Sequence, residues 1–158
     1  MLLKVHLFAA IIYLASLLAM GGLAIPLLRR KAPEECMARV AGILRFYHPY
    51  ALFLLGLLLM TGAFLLTDLK IAIGANFFTV TYKSLSLKLL LVFLIIFFSS
   101  HQFFGVGLKL TRANAPLELR QFTMPIEEQM KVLRRLQVGT FLNLALAGGA
   151  LYIGWTMR

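Results

Sequence analysis

Cysteine is almost missing from this chain: Cys36 is the only one. That excludes an internal disulfide, a Cys-ligated iron–sulfur cluster and any metal site built from several thiolates. Acidic residues are scarce as well, six against sixteen Lys and Arg, for a formal net charge of +10. Charged residues of both signs reach only 14%, against about 25% in an ordinary soluble domain. Histidine occurs three times and never in a tract, and no repeat or low-complexity stretch interrupts the chain. With so few polar groups, histidine is the side chain best suited to chemistry.

What the chain has instead is apolar length. Of its 158 residues 61% are hydrophobic, and the mean hydropathy is +0.87. The apolar runs cover roughly 3–28, 46–67, 84–108 and 136–157. Each is long enough to cross a hydrocarbon core of ~30 Å at ~1.5 Å per residue. The sequence therefore predicts an all-α integral membrane protein, one domain over 1–158, folded as an antiparallel bundle of four transmembrane helices. Lys4 ahead of an apolar run looks like a signal peptide, but the run continues to Leu28 and no Ala-x-Ala site follows. A retained first helix is expected.

The gaps between spans differ in character. The first, 29–45, is highly charged. The second, 68–83, is apolar, with Ile71, Ile73, Phe77 and Phe78, and reads as an interfacial or re-entrant segment anchored by the two phenylalanines. The third, 109–135, contains Pro116 and Pro125, and 126–135 reads as an amphipathic extension of the fourth helix. Four spans place the first and third gaps on one side. Eleven basic residues fall there: Arg29, Arg30, Lys31, Arg39, Arg45, Lys109, Arg112, Arg120, Lys131, Arg134 and Arg135. Five fall on the other: Lys4, Lys70, Lys83, Lys88 and Arg158. The positive-inside rule then puts both termini outside an inner or plasma membrane. Basic loops beside spans match orientation and lipid headgroups, and no nucleic-acid partner is expected.

All three histidines lie in or beside a span, where ionisable groups are costly and usually functional. The spacing puts His48 and His101 in one leaflet and His6 in the other. A membrane haem b is held by two imidazoles at similar depth, so His48 and His101 form a candidate axial pair. Arg45 and Arg135 lie near enough to meet the propionates. Pro49 would then open the second helix. The competing reading makes His48 an interfacial residue and His101 a polar group bonded to a neighbouring helix. His6 shares a helical stripe with Ala9, Tyr13, Ser16 and Met20, which points it into the bundle. Met60 and Lys88 are its candidate neighbours: His with Met suits haem or copper, and Lys88 suits an anionic group. Packing for Met60 and snorkelling for Lys88 are the plainer readings. On the fourth helix Thr140, Asn143, Ala147, Ala150 and Gly154 form a small-residue face suited to close packing.

A family resemblance rests on three short motifs. His6 is followed by Tyr13 and then Gly21-Gly22; Thr61-Gly62 stands late in the second span; Thr79 to Leu89 reads TVTYKSLSLKL. This pattern resembles the CopD and HemJ group of small membrane proteins (the copper resistance D domain). The resemblance implies a four-helix membrane bundle linked to copper handling or to haem-dependent oxidation, with His6 and Lys88 as the positions carried over.

Three functions follow as expectations. The first is a haem b membrane redox or electron-transfer protein, with a quinone, a periplasmic electron carrier or other membrane subunits as partners. The second is a copper-handling membrane protein. The third is a cofactor-free subunit of a respiratory complex. Whether the chain is an enzyme stays open. The orientation is directly testable: a cysteine introduced at Arg158 should react with an impermeant thiol reagent added outside. Labelling only from the cytoplasmic side would reverse the topology.

Overall fold

The computed structural model describes residues 1–115 and 124–156, apart from the side chains of Phe78, Val80, Thr81, Tyr82, Ser84 and Thr156. Arg120, Pro116 and Arg158 lie outside the described residues. The described residues form four long helices and no strand. Helix α1 is Leu2–Leu28 and α2 is Pro33–Ile73. Helix α3 runs over 77–113, as Phe77–His101, Gln102–Gly107 and Leu108–Ala113. Helix α4 is Ile126–Thr156. All four are long and apolar enough to cross a membrane. In sequence order they are ringed so that α1 touches α2 and α4, and α3 touches α2 and α4.

The side chains turned outward are those a bilayer accepts. Phe8, Ile11, Leu23, Phe53, Phe93, Phe97, Phe104 and Val138 are all exposed. Water would penalise such a surface, whereas hydrocarbon does not. Tyr152 and Trp155 are exposed near the end of α4, the depth at which amphipathic rings settle in the headgroup layer.

Two gaps differ from the sequence expectation. Helix α2 has 41 residues, which is about 61 Å at 1.5 Å per residue, twice a hydrocarbon core. Its first three turns occupy most of the first gap, leaving only residues 29–32 as a connection. Pro49 therefore sits inside α2 and does not open it. The second gap is no interfacial loop either. Helix α2 continues to Ile73, the chain reverses over Gly74–Asn76, and α3 starts at Phe77. Gly74, with φ of 67°, supplies the left-handed conformation this reversal needs. Phe77 is 4% exposed, so its ring packs against the protein and is no surface anchor; the side chain of Phe78 is outside the described residues.

The reason for the first difference is a second core at the basic end of the bundle. Cys36, Met37, Val40 and Leu44 recur at helical spacing and are all buried, against Leu110, Leu133 and Leu136. The start of α4 is thus the amphipathic extension expected from 126–135. Its Gln129 is tied down twice: Asn114 Nδ2 donates to Gln129 Oε1 at 2.8 Å, and Gln129 Nε2 donates to the Met124 carbonyl at 2.8 Å. Glu35 sits between Lys31 at 2.8 Å and Arg39 at 2.9 Å on the exposed side.

Within the bilayer the packing follows small residues. Thr140, Asn143, Ala147 and Ala150 of α4 are all buried, as their stripe implies. A β-carbon at Gly21 of α1 would lie 3.0 Å from Thr140 Cγ2. Gly21 belongs to a π-helical segment, Ala19–Ala24. Its carbonyl accepts a 3.3 Å bond from Gln137 Nε2, and Arg29 donates to Gln137 Oε1 at 3.1 Å. Gly22, one residue on, meets nothing within 4 Å. Gly21→Val should therefore destabilise the bundle in detergent by about 1–3 kcal/mol through overpacking. Gly22→Val, with the same helix propensity change, should cost clearly less. Equal thermal shifts for the two variants would refute this account of the α1–α4 contact.

Candidate functional site

Two polar clusters lie inside the bundle, at different depths. The first is near the end that carries the termini. His6 of α1 faces α2, where its Nδ1 is 2.8 Å from Thr61 Oγ1. Thr61 is buried, and its own hydroxyl proton goes to the Leu57 carbonyl at 2.8 Å, with the Leu58 carbonyl at 3.3 Å. A hydroxyl has one proton to give. If that proton goes to the helix, Thr61 Oγ1 accepts from His6 and Nδ1 carries the imidazole hydrogen; if it turns to the ring, Nδ1 is the acceptor. In the first case the lone pair of neutral His6 is on Nε2, which has no hydrogen-bond partner among the described residues. Gly62 lies against the ring: a β-carbon there would be in ordinary contact with His6 Cε1, at 3.4 Å.

Lys88 of α3 completes this cluster. It is half-buried, and its charge is near enough to His6 to act on it. Its Nζ lies across Gly154 of α4, 3.0 Å from where a β-carbon would stand. No acidic side chain pairs with it among the described residues. A half-buried ammonium without a counter-ion favours an anionic ligand. Four helices thus contribute His6, Thr61-Gly62, Lys88 and Gly154 to one place. Met60 turns the other way, with 61% of its surface exposed.

The second cluster lies deeper. The Tyr13 and Ser99 hydroxyls share a 3.2 Å hydrogen bond. Asn143 Nδ2 donates to Ser99 Oγ at 3.1 Å and to Gln102 Oε1 at 3.3 Å. His48 lies beside them, 7% exposed. Its ring stands edge-on to Phe103, with centroids 5.3 Å apart, and lies against Gly107, where a β-carbon would overlap it. Gln102 likewise occupies the place of a side chain at Gly139. Gln102–Gly107 is a second π-helical segment, so the glycine that receives His48 and the amide that meets Asn143 belong to one irregular turn.

This geometry bears on the bis-histidine pair. His101 is exposed on the outer surface of α3, lying along its own helix over Gly105, 3.0 Å from a β-carbon there. It does not line the space beside His48. That space is a cavity of about 30 Å³, whereas a small-molecule site usually measures ~300–1,000 Å³. Phe103 and Gly107 of α3 pack directly against the His48 ring. The structure does not bring His48 and His101 together around a haem-sized gap. Arg45 and Arg135 are both exposed and form no ion pair among the described residues.

The signal for the first cluster was present in the sequence, as His6, Thr61-Gly62 and Lys88. That Gly154 borders this cluster, and that His6 bonds Thr61, were not foreseen. The tight fit of His48 on Gly107 gives a test. Gly107→Ala should lower thermal stability by about 1–3 kcal/mol, the usual range for overpacking. In a His48→Ala background the same change should cost little, since the ring it collides with is gone. Additive effects of the two substitutions would show that His48 does not rest on Gly107.

Compared with known protein families, with curated proteins and with solved structures, the chain matches none.

Proposed function

We propose that this chain is a haem b-binding membrane redox protein of the CopD and HemJ type, with the haem held at His6. The observation that carries this reading is the hydrogen bond that ties His6 Nδ1 to Thr61 and leaves Nε2 without a partner among the described residues. A histidine that ligates a metal almost always donates its other ring N–H to a fixed acceptor, which orients the ring and raises its basicity. His6 has this arrangement toward Thr61. Haem brings four nitrogens of its own and needs only axial ligands from the protein, so one well-placed imidazole is a sufficient anchor. Lys88 would pair a propionate. When bound, haem supplies an iron that exchanges one electron. The protein's part is to hold Nε2 unprotonated, to offer the ammonium and to keep the site within lipid. A quinone or another membrane subunit is the natural partner for such a site.

Copper handling is the other activity that the resemblance implies, and His6 Nε2 would suit that ion too. Copper needs several protein donors, however, and no group of three or more His, Cys, Asp or Glu converges among the described residues. The haem reading makes better use of a lone histidine.

The test is the visible spectrum of the purified chain after haem supplementation. A Soret band and a reduced α-band are expected, lost in His6→Ala and kept in His48→Ala and His101→Ala. Thr61→Val, which removes the acceptor for Nδ1–H, should weaken haem retention about 10- to 100-fold. Absence of a Soret band in the unaltered protein would end the cytochrome reading. Loss confined to His48→Ala and His101→Ala would move the site to the deeper pair.

A further inference from the structure

The deeper cluster has more polar capacity than its own hydrogen bonds use. Gln102 Nε2, Asn143 Oδ1 and Tyr47 Oη are buried and unpartnered, and Asn143 is only 1% exposed. The Tyr47 hydroxyl lies near Ser16, but not in hydrogen-bonding geometry. Turning both amides over does not help. One amide–amide bond forms either way, and one donor and one acceptor remain unused. His48, beside them, has no side-chain hydrogen bond to a described residue. In the middle of a membrane each such group costs free energy unless something meets it.

All four residues line the same cavity, with Tyr13, Ser99 and Phe103. Its volume is about 30 Å³, above the ~10–15 Å³ that a water molecule requires. An empty cavity is stable when its walls are apolar; one with several unpaired donors and acceptors is hydrated. We propose that this cavity is an internal water site, holding one or two water molecules that join His48 to the network of Gln102, Asn143, Ser99 and Tyr13.

The chemistry of the walls selects water over other occupants. Gln102 Nε2 donates, Asn143 Oδ1 accepts, and the Tyr47 hydroxyl and the His48 ring do either. Water is the one small ligand that serves donors and acceptors together and fits the volume. No charged side chain lines the cavity, so an ion has no partner there. The hydrated chain gives a titratable ring, His48, and a phenol, Tyr13, a shared set of exchangeable protons within the bundle. This site is separate from His6 and holds whether or not haem binds.

Radiolytic hydroxyl-radical labelling of the full chain in nanodiscs tests it, because radicals formed from a bound water oxidise the side chains around it. Tyr47 and Phe103 should be labelled, while Phe53 and Phe93, which face lipid, should not. The label should disappear in Gln102→Leu/Asn143→Leu, which removes the partners. It should also disappear in Ala51→Leu, which fills the cavity from α2 and leaves every polar group in place. If the double variant fails to fold, the Ala51→Leu result decides alone. Unlabelled Tyr47 and Phe103, or labelling that persists in the filled variant, would overturn the proposal.

Discussion

Lipid offers no hydrogen bonds, so a polar group inside the bilayer must be met by the protein or by enclosed water. The backbone meets this constraint by staying helical across all four spans. The polar side chains meet it by clustering: His6 on Thr61, Tyr13 on Ser99, and Asn143 on Ser99 and Gln102. Thr61 and Thr140 turn their hydroxyls back onto helix carbonyls as well. No hydrophobic force drives helices together in such a solvent, so close approach must come from small residues. That is why glycines mark the sites. Gly62 and Gly154 border the first cluster, and Gly107 and Gly139 receive the side chains of the second. Packing and chemistry share the same positions because both need a helix surface without a side chain.

The basic end obeys a different rule. There the helices leave the hydrocarbon, and burial against water again favours association. Met37, Val40 and Leu44 of α2 pack with Leu133 and Leu136 of α4 and Leu110 of α3, as in a soluble helical protein. Arg39, Arg45, Lys131, Arg134 and Arg135 remain exposed around this core. Met20 and Ile25 of α1 join the same cluster, so this core holds all four helices together at the basic end. The interior of the membrane part can then keep unpaired polar groups and a cavity without the bundle coming apart.

The four spans were legible because hydropathy is a sum over ~20 residues and tolerates local error. The small-residue face of α4 was legible for a similar reason, since Thr140, Asn143, Ala147 and Ala150 repeat with the helix. The gaps were not. The stretch 29–45 reads as a charged loop if its charges are counted, and as a helix only if Met37, Val40 and Leu44 are followed at their spacing. Phe77 and its apolar neighbours read as interfacial because hydropathy alone does not separate a turn that packs inward from one that lies on the membrane. For the candidate site, depth was readable and direction was not. His48 and His101 lie at comparable distances from the basic end, yet only His48 is buried.

The surroundings of His48 depend on a π-helical turn that follows His101. An extra residue in one turn rotates everything beyond it by about 100° relative to a regular helix. The segment Gln102–Gly107 begins right after His101, so projections carried from Leu85 do not apply to Phe103 or Gly107. Had α3 stayed regular, the residues after His101 would present a different face to α2. The widened turn brings Gly107 under His48, sets Phe103 against the same ring and lets Gln102 reach Asn143 across to α4. Helix α1 has its own π segment, at the point where the Gly21 carbonyl is opened to Gln137. In both helices the irregular turn supplies an interhelical contact that a regular helix would deny. Such turns carry no strong sequence signal beyond glycine, so the deeper cluster had to be found in three dimensions. The His6 cluster involves neither turn, and its residues stay in phase with the sequence that announces them.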